Sequence, residues 1–572
     1  MDGKAFFLAP TGKRDPKAEL EATLAAFFAP VPDEGPHPQC RFPARRLWLA
    51  RRLGIDPTRL PERSCPEWED FRERLDARSV TLVFSSYYLN NPSSAFGHTF
   101  MRVSRADDTP GVVRSDLLDY GIDYAAVVTT SNAVIYAFKG IFGGFEGRFS
   151  HYPYYYKVRQ YNDYETRDIW EYDLDLTPEQ VALLVAHFWE LGQSWFDYYY
   201  LNENCSFHML TALEAANPDL DLVDRVPFWV IPADTVKALY AEPGLVKAVR
   251  YRPSIWTQFR ARVAALSAED RAHVKRIVDD GGELPAGLAP ERRMAILDAA
   301  LDYVDFRDGE DLVKGRPEAA RRKRRLLAAR SAIRLASPDL AIEPPYDRMP
   351  QVGHDSARAG LGFGWSDHLG PFERLDFRFA LHDLTDPEAG YPDYAQIEFF
   401  STRLRYNSDP DTLWLERFDA VRVVSLSPVT RFTRQFSWKI GFGAKTIRDE
   451  SCRDCLAANF DLGGGYALTL LDRPRVVAFA MADVETVASP RLLDRRVRLG
   501  VGPLGGLHAR IGERVSLLAT GSWRYLIDYD PERTYEYSLT AKVHLTRWLS
   551  LGIEGARVPA AWEGALGAHV YF

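Results

Sequence analysis

The stretch "FDYYYLNENCSFHMLTALE", residues 196–214, contains the cysteine whose setting best suits chemistry. Apolar residues follow it near helical spacing, which predicts a helix that starts at Cys205 with Asn204 as its N-cap. The positive end of a helix dipole stabilises a thiolate and lowers the pKa of a cysteine placed there. Cys205 is therefore a candidate nucleophile, and the alternative is a small buried hydrophobic side chain.

A nucleophilic cysteine needs a base that takes its proton and a third group that orients the base. His208 lies on the same predicted helix, where its ring is expected to point along the helix rather than across to the thiol. His98 follows a turn in "NNPSSAFGHTFMRVS" and opens a predicted strand, from which it can face a helix packed on the sheet. We therefore expect His98 to be the base.

The next predicted strand, "SDLLDYGIDYAAVV" at residues 115–128, supplies the acid. Alternation along the strand places Tyr120 on one face, and Asp119 and Asp123 on the other. A carboxylate on that second face can reach the imidazole. The order along the chain is then histidine, acid, cysteine.

The remaining patterns divide the chain into four predicted regions. These are an N-terminal helical region (1–80), an α+β domain with the candidate site (81–240), a charged helical connection (241–345) and a strand-rich region (346–572). In the α+β domain, "SVTLVFSSYYL", "HTFMRVS" and "AVVTTSNAVIYAF" predict strands, whereas "TPEQVALLVAHFWELGQSW" predicts a capped helix. In the connection, the basic helix "EAARRKRRLLAARSAIR" is expected to present a solvated face, the alternative being a site for anionic lipid headgroups.

The strand-rich region has the pattern of a transmembrane β-barrel. About twelve segments alternate apolar with polar or small residues, as outer-membrane barrels do, and closure is required because no backbone group can face lipid unpaired. In the final segment Leu566, Val570 and Phe572 share one face, while His569 and Tyr571 share the other. A soluble β-sandwich would alternate as well, but the aromatic C-terminus favours the membrane barrel.

Composition sets further limits on compartment and partners. The chain of 572 residues has a net charge of −8, no apolar run long enough for a transmembrane helix and no sign of nucleic-acid binding. Its five cysteines predict disulfides Cys40–Cys65 and Cys452–Cys455 with Cys205 free, although the CRDC pair has a redox or metal motif as its alternative. The first twenty residues lack a signal-peptide pattern, so for an exported protein we expect a removed targeting segment or a mis-assigned start.

Several motifs together resemble a known family. "YYLNNPSSAFGHTF", "GGFEGRFS", "YNDYETRDIWEYDLDLTPEQ" and "NENCSFHML" are similar to the periplasmic domain of Lnb-type bacterial lipoprotein N-acyltransferases. Gly97-His98 and Asn204-Cys205 also match the circularly permuted NlpC branch, which includes the lecithin:retinol acyltransferase group and in which the histidine strand precedes the cysteine helix. The resemblance implies an α+β permuted papain-like (NlpC-type) domain with helical flanking regions, followed by a C-terminal antiparallel β-barrel of about 12 strands.

The resemblance also implies roles for individual residues. Cys205 would carry an acyl group as a thioester, His98 would act as general base and then acid, and Asp123 would orient His98, with Asp119 in reserve. The Cys205 backbone amide would help to stabilise the oxyanion. Lys157, Arg159 and Arg167 would hold a phosphate, unless they are only surface charges. The residues expected to bind substrate are Asn204, Asp119, Tyr120, Lys157 and Arg159.

The function that follows is transfer of an acyl chain from a phospholipid donor to an amine, such as a lipoprotein N-terminus. The catalytic domain would lie in the periplasm and the barrel in the outer membrane, with no cofactor, no metal and no nucleic acid involved. Two other functions stay open. One is a cysteine peptidase or amidase acting on cell-wall peptides, because NlpC-type relatives cut such bonds. The other is a non-catalytic outer-membrane structural or transport protein.

Overall fold

A computed structural model of the chain contains two compact units, Met1–Pro344 and Pro345–Phe572. No helix in its described segments is both long enough and apolar enough to cross a membrane. The described segments are residues 1–30, 35–56, 59–61, 63–87, 96–105, 119–226, 229–409, 411–493, 495–530 and 532–572.

Most α-helices of the first unit begin with a proline, which suits the first turn because its nitrogen has no hydrogen to leave unpaired. The helix predicted after Thr177 has a complete capping box, in which Thr177 and Gln180 satisfy each other's backbone amides. The described α-helices are α1 (Pro16–Phe27), α2 (Pro38–Arg41), α3 (Pro43–Leu53), α4 (Pro66–Leu75), α5 (Ala133–Phe142), α6 (Tyr154–Val158), α7 (Pro178–Gly192), α8 (Cys205–Ala216), α9 (Pro232–Ala241), α10 (Ile255–Ala264), α11 (Ala268–Asp279), α12 (Pro290–Val313) and α13 (Pro317–Ser331).

One antiparallel sheet forms the centre of this unit. Its strand order is β6-β4-β3-β2-β1-β5-β7, which places β2 in the middle. Every residue of β1 and of β5 is buried, so helices and loops cover both faces there. The strands are β1 (Ser79–Ser85), β2 (His98–Ser104), β3 (Tyr120–Val127), β4 (Phe145–Pro153), β5 (Ile169–Leu174), β6 (Phe196–Tyr198) and β7 (Val246–Arg252).

The antiparallel pairing gathers four strand termini at one end of the sheet, here called the His98 end. They are the start of β2 at His98, the end of β3 at Val127, the start of β4 at Phe145 and the end of β6 at Tyr198. The chain leaves β6 and enters α8 at Cys205, so the predicted nucleophile and base arise at the same end of the sheet.

Two parts of the first unit differ from the sequence-based expectation. The stretch "AVVTTSNAVIYAF" was predicted to be a strand, but β3 ends at Val127 and the rest enters helix α5 (Ala133–Phe142). A short apolar run does not distinguish the two periods, and here Ile135 and Phe138 stand outward at helical spacing. The connection expected to be helical contains β7 (Val246–Arg252), which extends the sheet beside β5.

The basic helix α13 pairs with its neighbour α12. Lys323 Nζ lies 2.6 Å from Asp305, and Arg330 Nε lies 2.7 Å from Asp298. Part of its charge is therefore neutralised within the unit. The predicted disulfide Cys40–Cys65 is present and joins the start of α4 to α2.

The second unit is a closed antiparallel barrel. The sheet closes because β8 pairs with the final strand, β20, and β11 pairs with both β9 and β10. Since β9 and β10 are two parts of one interrupted strand, the barrel has twelve strands. The prediction of about twelve strands is confirmed. The strands are β8 (Arg358–Ser366), β9 (Gly370–Arg378), β10 (Ala380–His382), β11 (Ala395–Ser408), β12 (Asp411–Ser425), β13 (Ser437–Asp449), β14 (Cys452–Asp472), β15 (Arg475–Ala488), β16 (Val497–Ile511), β17 (Val515–Leu526), β18 (Arg533–Thr546), β19 (Leu549–Val558) and β20 (Ala561–Tyr571).

The two faces of the barrel wall differ in chemistry. Large apolar side chains stand outward, including Phe363, Ile553 and Leu566, which are 59%, 60% and 62% exposed. Charged side chains fill the lumen and pair there, as Arg374 does with Glu554 at 2.8 Å. An apolar exterior around a polar interior is the arrangement that lipid on the outside requires.

The final strand and the CRDC pair follow the sequence-based expectation. Leu566, Val570 and Phe572 are exposed, whereas His569 and Tyr571 are each 2% exposed on the lumen side. Cys452 and Cys455 form a disulfide. The pair lies in the first residues of β14.

A segment crosses the lumen at one end of the barrel, the end at which the chain enters and terminates. This lumen-crossing segment, residues 383–394, connects β10 to β11. The carbonyls of Leu384 and Asp386 accept hydrogen bonds from Arg510 of β16 at 3.0 and 2.6 Å. The Asp386 carboxylate accepts one from Lys542 of β18 at 3.0 Å. The segment therefore spans from one wall to strands on the far side.

We predict that a charge on the outer face destabilises the barrel. Ile553→Arg, at the middle of β19, is expected to cost about 2–4 kcal/mol because the guanidinium meets the bilayer midplane. Thr540→Arg, on the lumen side of the adjacent strand, is the control and is expected to cost little. Urea unfolding in lipid vesicles, followed by tryptophan fluorescence, measures both. Equal losses would contradict the assignment of faces.

Candidate active site

Cys205 is the first residue of α8, as the sequence predicts. The Asn204 side-chain oxygen accepts from the amides of Ser206 and Phe207 at 3.0 and 3.3 Å, which caps the helix. The Asn204 amide nitrogen donates to the Tyr200 carbonyl at 3.0 Å, so the cap also fixes the preceding turn. The Cys205 side chain is 3% exposed and is the free thiol of the chain.

His98, Asp123 and Cys205 meet at the His98 end of the sheet. His98 Nε2 lies 2.8 Å from Asp123 Oδ1, and the imidazole lies close enough to the Cys205 thiol for each group to shift the pKa of the other. Because Nε2 faces the carboxylate, Nδ1 is the nitrogen left for the sulfur. The Thr99 hydroxyl lies 2.7 Å from the Ser206 hydroxyl, which ties the first turn of α8 to β2. The spatial order is acid, histidine, cysteine.

The charges of this group stabilise one another. Burial raises the pKa of Cys205, but the His98 charge, its hydrogen bond and the Thr99 amide outweigh burial, so the net pKa is lowered. Burial lowers the pKa of His98, but the Cys205 thiolate and the Asp123 carboxylate raise it to about 10. Between those two pKa values the site holds a thiolate beside an imidazolium. That is the activated form of a cysteine nucleophile.

His208, the alternative base, is not placed for that role. Its ring packs between Tyr124 and Phe196, at centroid distances of 4.2 and 4.3 Å. Burial lowers its pKa to about 3, so it stays neutral near pH 7. The structure therefore brings His98, and not His208, to the thiol.

Lys157 lies behind the acid. Its ammonium is buried and lies 2.5 Å from Asp123 Oδ2, on the side of the carboxylate opposite His98. The Lys157 charge is thus paired inside the domain, and the phosphate-binding role expected for Lys157 stays a prediction. Burial raises the pKa of Asp123, while the His98 and Lys157 charges lower it to a net value below its usual range. No sequence signal pointed to this pair. Lys157 lies beyond β4 in the chain, so its approach to Asp123 depends on the pairing of β4 with β3.

The other expected site residues lie elsewhere or act structurally. Asn204 is the cap of α8, and its expected contact with substrate stays a prediction. Asp119 accepts from Ser104 Oγ at 2.8 Å and lies beside the buried Arg102, so it does not stand in for Asp123. Arg159 is exposed over the ring of Tyr164. A substrate role stays a prediction for Arg159 and for the half-buried Tyr120.

Sequence reasoning missed Tyr198. This buried side chain precedes α8 and stacks on the ring of Tyr124 at a centroid distance of 5.5 Å. Burial raises the pKa of Tyr198 well above its ordinary value, while the Cys205 backbone amide, which was expected to stabilise an oxyanion, acts in the opposite direction. The phenol therefore lies next to that amide.

One group of potential metal ligands occurs among the described residues, in the barrel unit. His354 Nε2 lies 3.0 Å from His382 Nδ1, with Asp386 close to both. The Asp386 carboxylate already accepts from Lys542 at 3.0 Å and Arg358 at 3.1 Å. These cations occupy the carboxylate and disfavour a metal ion at that position.

Comparison with protein families divides the chain in a similar way. Residues 67–242 match the family described as the Lnb N-terminal periplasmic domain. The remainder matches three domains of unknown function: DUF7843 at residues 1–52, DUF7842 at 249–341 and DUF7840 at 347–570. None of the curated proteins compared with the chain matches it.

Several solved structures of outer-membrane proteins are similar to part of the chain. The KdgM porin is 10% identical with a TM-score of 0.24, covering 38% of this chain and 99% of its own. An outer membrane channel from Pseudomonas putida F1 is 12% identical with a TM-score of 0.25, covering 41% and 100%. Omp33 of Acinetobacter baumannii is 11% identical with a TM-score of 0.21, covering 39% and 100%. The closed barrel and its apolar exterior make this an outer-membrane protein, and its N-terminal region carries a periplasmic-type domain.

We predict that Cys205 is a thiolate at neutral pH. Thiolate absorbance at 240 nm, taken as the difference from Cys205→Ser, should persist below the ordinary thiol pKa of about 8.5. In His98→Gln the imidazolium is absent and burial dominates, so the titration should move to pH 8.5 or above. The readout needs no reagent to reach the buried sulfur. Identical titrations of the parent protein and His98→Gln would contradict the ion pair.

We also predict that Lys157 holds Asp123 in its ionised, oriented form. Lys157→Met leaves a buried carboxylate without its second partner, which is expected to cost about 3–5 kcal/mol. Arg159→Met, two residues on and exposed, is the control. Denaturant unfolding of the N-terminal unit within the full chain measures the loss. Asp123→Asn added to Lys157→Met should recover much of it, and a failure to recover any would argue against the pair.

Proposed function

We propose that the protein is a thiol-dependent acyltransferase that moves an acyl chain from a phospholipid to an amine through a thioester on Cys205. The observation that carries the proposal is the series Asp123, His98, Cys205, in which each group shifts the pKa of the next, with the sulfur at the first turn of a helix. The match to the Lnb N-terminal periplasmic domain supports the same chemistry. We further propose that residues 81–240 adopt a permuted papain-like arrangement, flanked by helical regions at 1–80 and 241–345.

The first half-reaction loads the thiol. The Cys205 thiolate attacks the ester carbonyl carbon, and the carbonyl oxygen becomes an oxyanion near the α8 N-terminus. When the carbon–oxygen bond breaks, the His98 imidazolium gives its proton to the departing alkoxide of the lysophospholipid. The products are a thioester on Cys205 and a neutral imidazole, still held by Asp123.

The second half-reaction transfers the acyl group. The neutral His98 takes a proton from the attacking amine, which adds to the thioester carbonyl. The carbon–sulfur bond then breaks, an amide forms and the thiolate returns beside the imidazolium. Water in place of the amine would give hydrolysis, so exclusion of water decides the outcome. A sulfur only 3% exposed fits that need, and a donor reaches it through movement of neighbouring side chains.

The barrel supports this function as an anchor. It holds the chain in the membrane that contains both a phospholipid donor and lipoprotein acceptors. Its lumen-crossing segment does not favour the transport alternative, because hydrogen bonds from β16 and β18 hold backbone inside the lumen at one end.

The test is mass spectrometry of the full-length protein after incubation with phospholipid. We expect an acyl adduct on Cys205 that hydroxylamine removes, no stable adduct in His98→Ala, and transfer of the acyl chain when an N-terminal lipopeptide is added. Cys205→Ser is expected to give no acylated product. Acylated product formed by Cys205→Ser would overturn the proposal. Cleavage of muropeptides without any lipid would favour the peptidase alternative.

A further inference from the structure

Helix α5 (Ala133–Phe142) presents an apolar face that stays open among the described residues of the first unit. Ile135, Phe138 and Phe142, spaced three and four residues apart, are 47%, 63% and 64% exposed. Spacing of this kind places them on one side of the helix. The adjoining end of β3 is also apolar and open, with Val127 44% exposed. Exposed aromatic side chains in such a cluster mark an interaction surface.

The position of this face links it to the candidate active site. Helix α5 connects β3 to β4 at the His98 end of the sheet, where β2 begins and α8 starts. Its buried side packs on the segment that leads into α8. The Tyr200 amide donates to the Gly140 carbonyl at 2.8 Å, and the Tyr200 ring lies where a Cβ on Gly140 would stand. Asn204, the α8 cap, in turn bonds the Tyr200 carbonyl.

The chemistry of the face suits lipid better than another protein. The sequence AVIYAFKGIF contains no acidic residue, and its one charge is Lys139, whose sign suits a membrane with anionic lipids. Three large side chains are far fewer than the roughly 20–30 residues that each partner contributes to a stable protein interface. The barrel anchors the chain in a membrane, so the N-terminal unit is always in a compartment that contains a lipid surface.

We propose that α5 is an interfacial helix that docks the catalytic domain on the surface of the phospholipid bilayer, with Phe138 and Phe142 inserted among the lipids. Docking at this end brings the donor ester to the end of the sheet that holds Cys205 and His98. Docking also acts on the turn before α8, because Gly140 of α5 contacts Tyr200 and Tyr200 is hydrogen-bonded to the cap residue Asn204. The docking itself does not depend on the reaction, whereas the delivery of donor rests on the proposed function.

The first experiment measures docking alone. In full-length Cys205→Ser protein, which lacks the free thiol, a single cysteine replaces Phe138 and carries a bimane label. Tyr156→Cys is the matched control, because Tyr156 is 64% exposed but follows the opposite end of β4. In vesicles with spin-labelled lipids we expect at least about twofold quenching at position 138 and little at 156. Equal quenching at both positions would overturn docking by α5.

A second quencher distinguishes a lipid from a protein partner. Aqueous iodide should quench the label at 156 and spare the label at 138. If position 138 is protected from iodide yet unaffected by the spin-labelled lipids, a protein surface covers the helix and the lipid assignment is overturned.

The last experiment separates docking from chemistry. The protein is placed in bilayers of ether lipids, which it cannot deacylate, and receives either ester phospholipid within the bilayer or a soluble short-chain phospholipid. Phe138→Ser/Phe142→Ser should load Cys205 about tenfold more slowly from the bilayer donor and at an unchanged rate from the soluble donor. Equal slowing from both would mean that α5 only supports the site. If the parent protein loads from neither donor, the proposed function fails while the quenching result still decides docking.

Discussion

The site depends on one buried carboxylate held from two sides. Asp123 lies between His98 at 2.8 Å and Lys157 at 2.5 Å, and each cation favours its ionised form against the cost of burial. An ionised Asp123 keeps His98 protonated and fixes which ring nitrogen faces Cys205. The imidazolium in turn lowers the pKa of the thiol. Loss of the Lys157 charge would therefore change the pKa of the Cys205 thiol through Asp123 and His98.

Much of the site could be predicted because its signals are local. An asparagine before a cysteine at the start of an apolar helical pattern defines a cap, and the structure has that cap at Asn204. His98 opens one strand and Asp123 lies on the next, so pairing of these two strands is enough to bring them together. Lys157 and Tyr198 could not be found this way, because each becomes a partner only when distant segments pack. Helix α5 was mistaken for strand because a short apolar run fits both periods.

The barrel shows the same division between local and distant information. Alternation along each strand predicted the number of strands and the two faces of β20, because every residue of a strand in lipid faces either hydrocarbon or lumen. The ion pairs of the lumen join strands far apart in sequence, as Arg374 and Glu554 do. The segment 383–394 carries polar and turn residues that resemble an ordinary loop. Its course across the lumen depends on Arg510 and Lys542, more than 120 residues later.

The crossing of that segment has a consequence for the cell that carries the protein. An outer membrane resists toxic solutes only while its open pores are few and narrow. A barrel whose lumen is crossed by its own backbone anchors the chain while it narrows the path for solutes. Each additional copy then adds less permeability than an open barrel of the same size would.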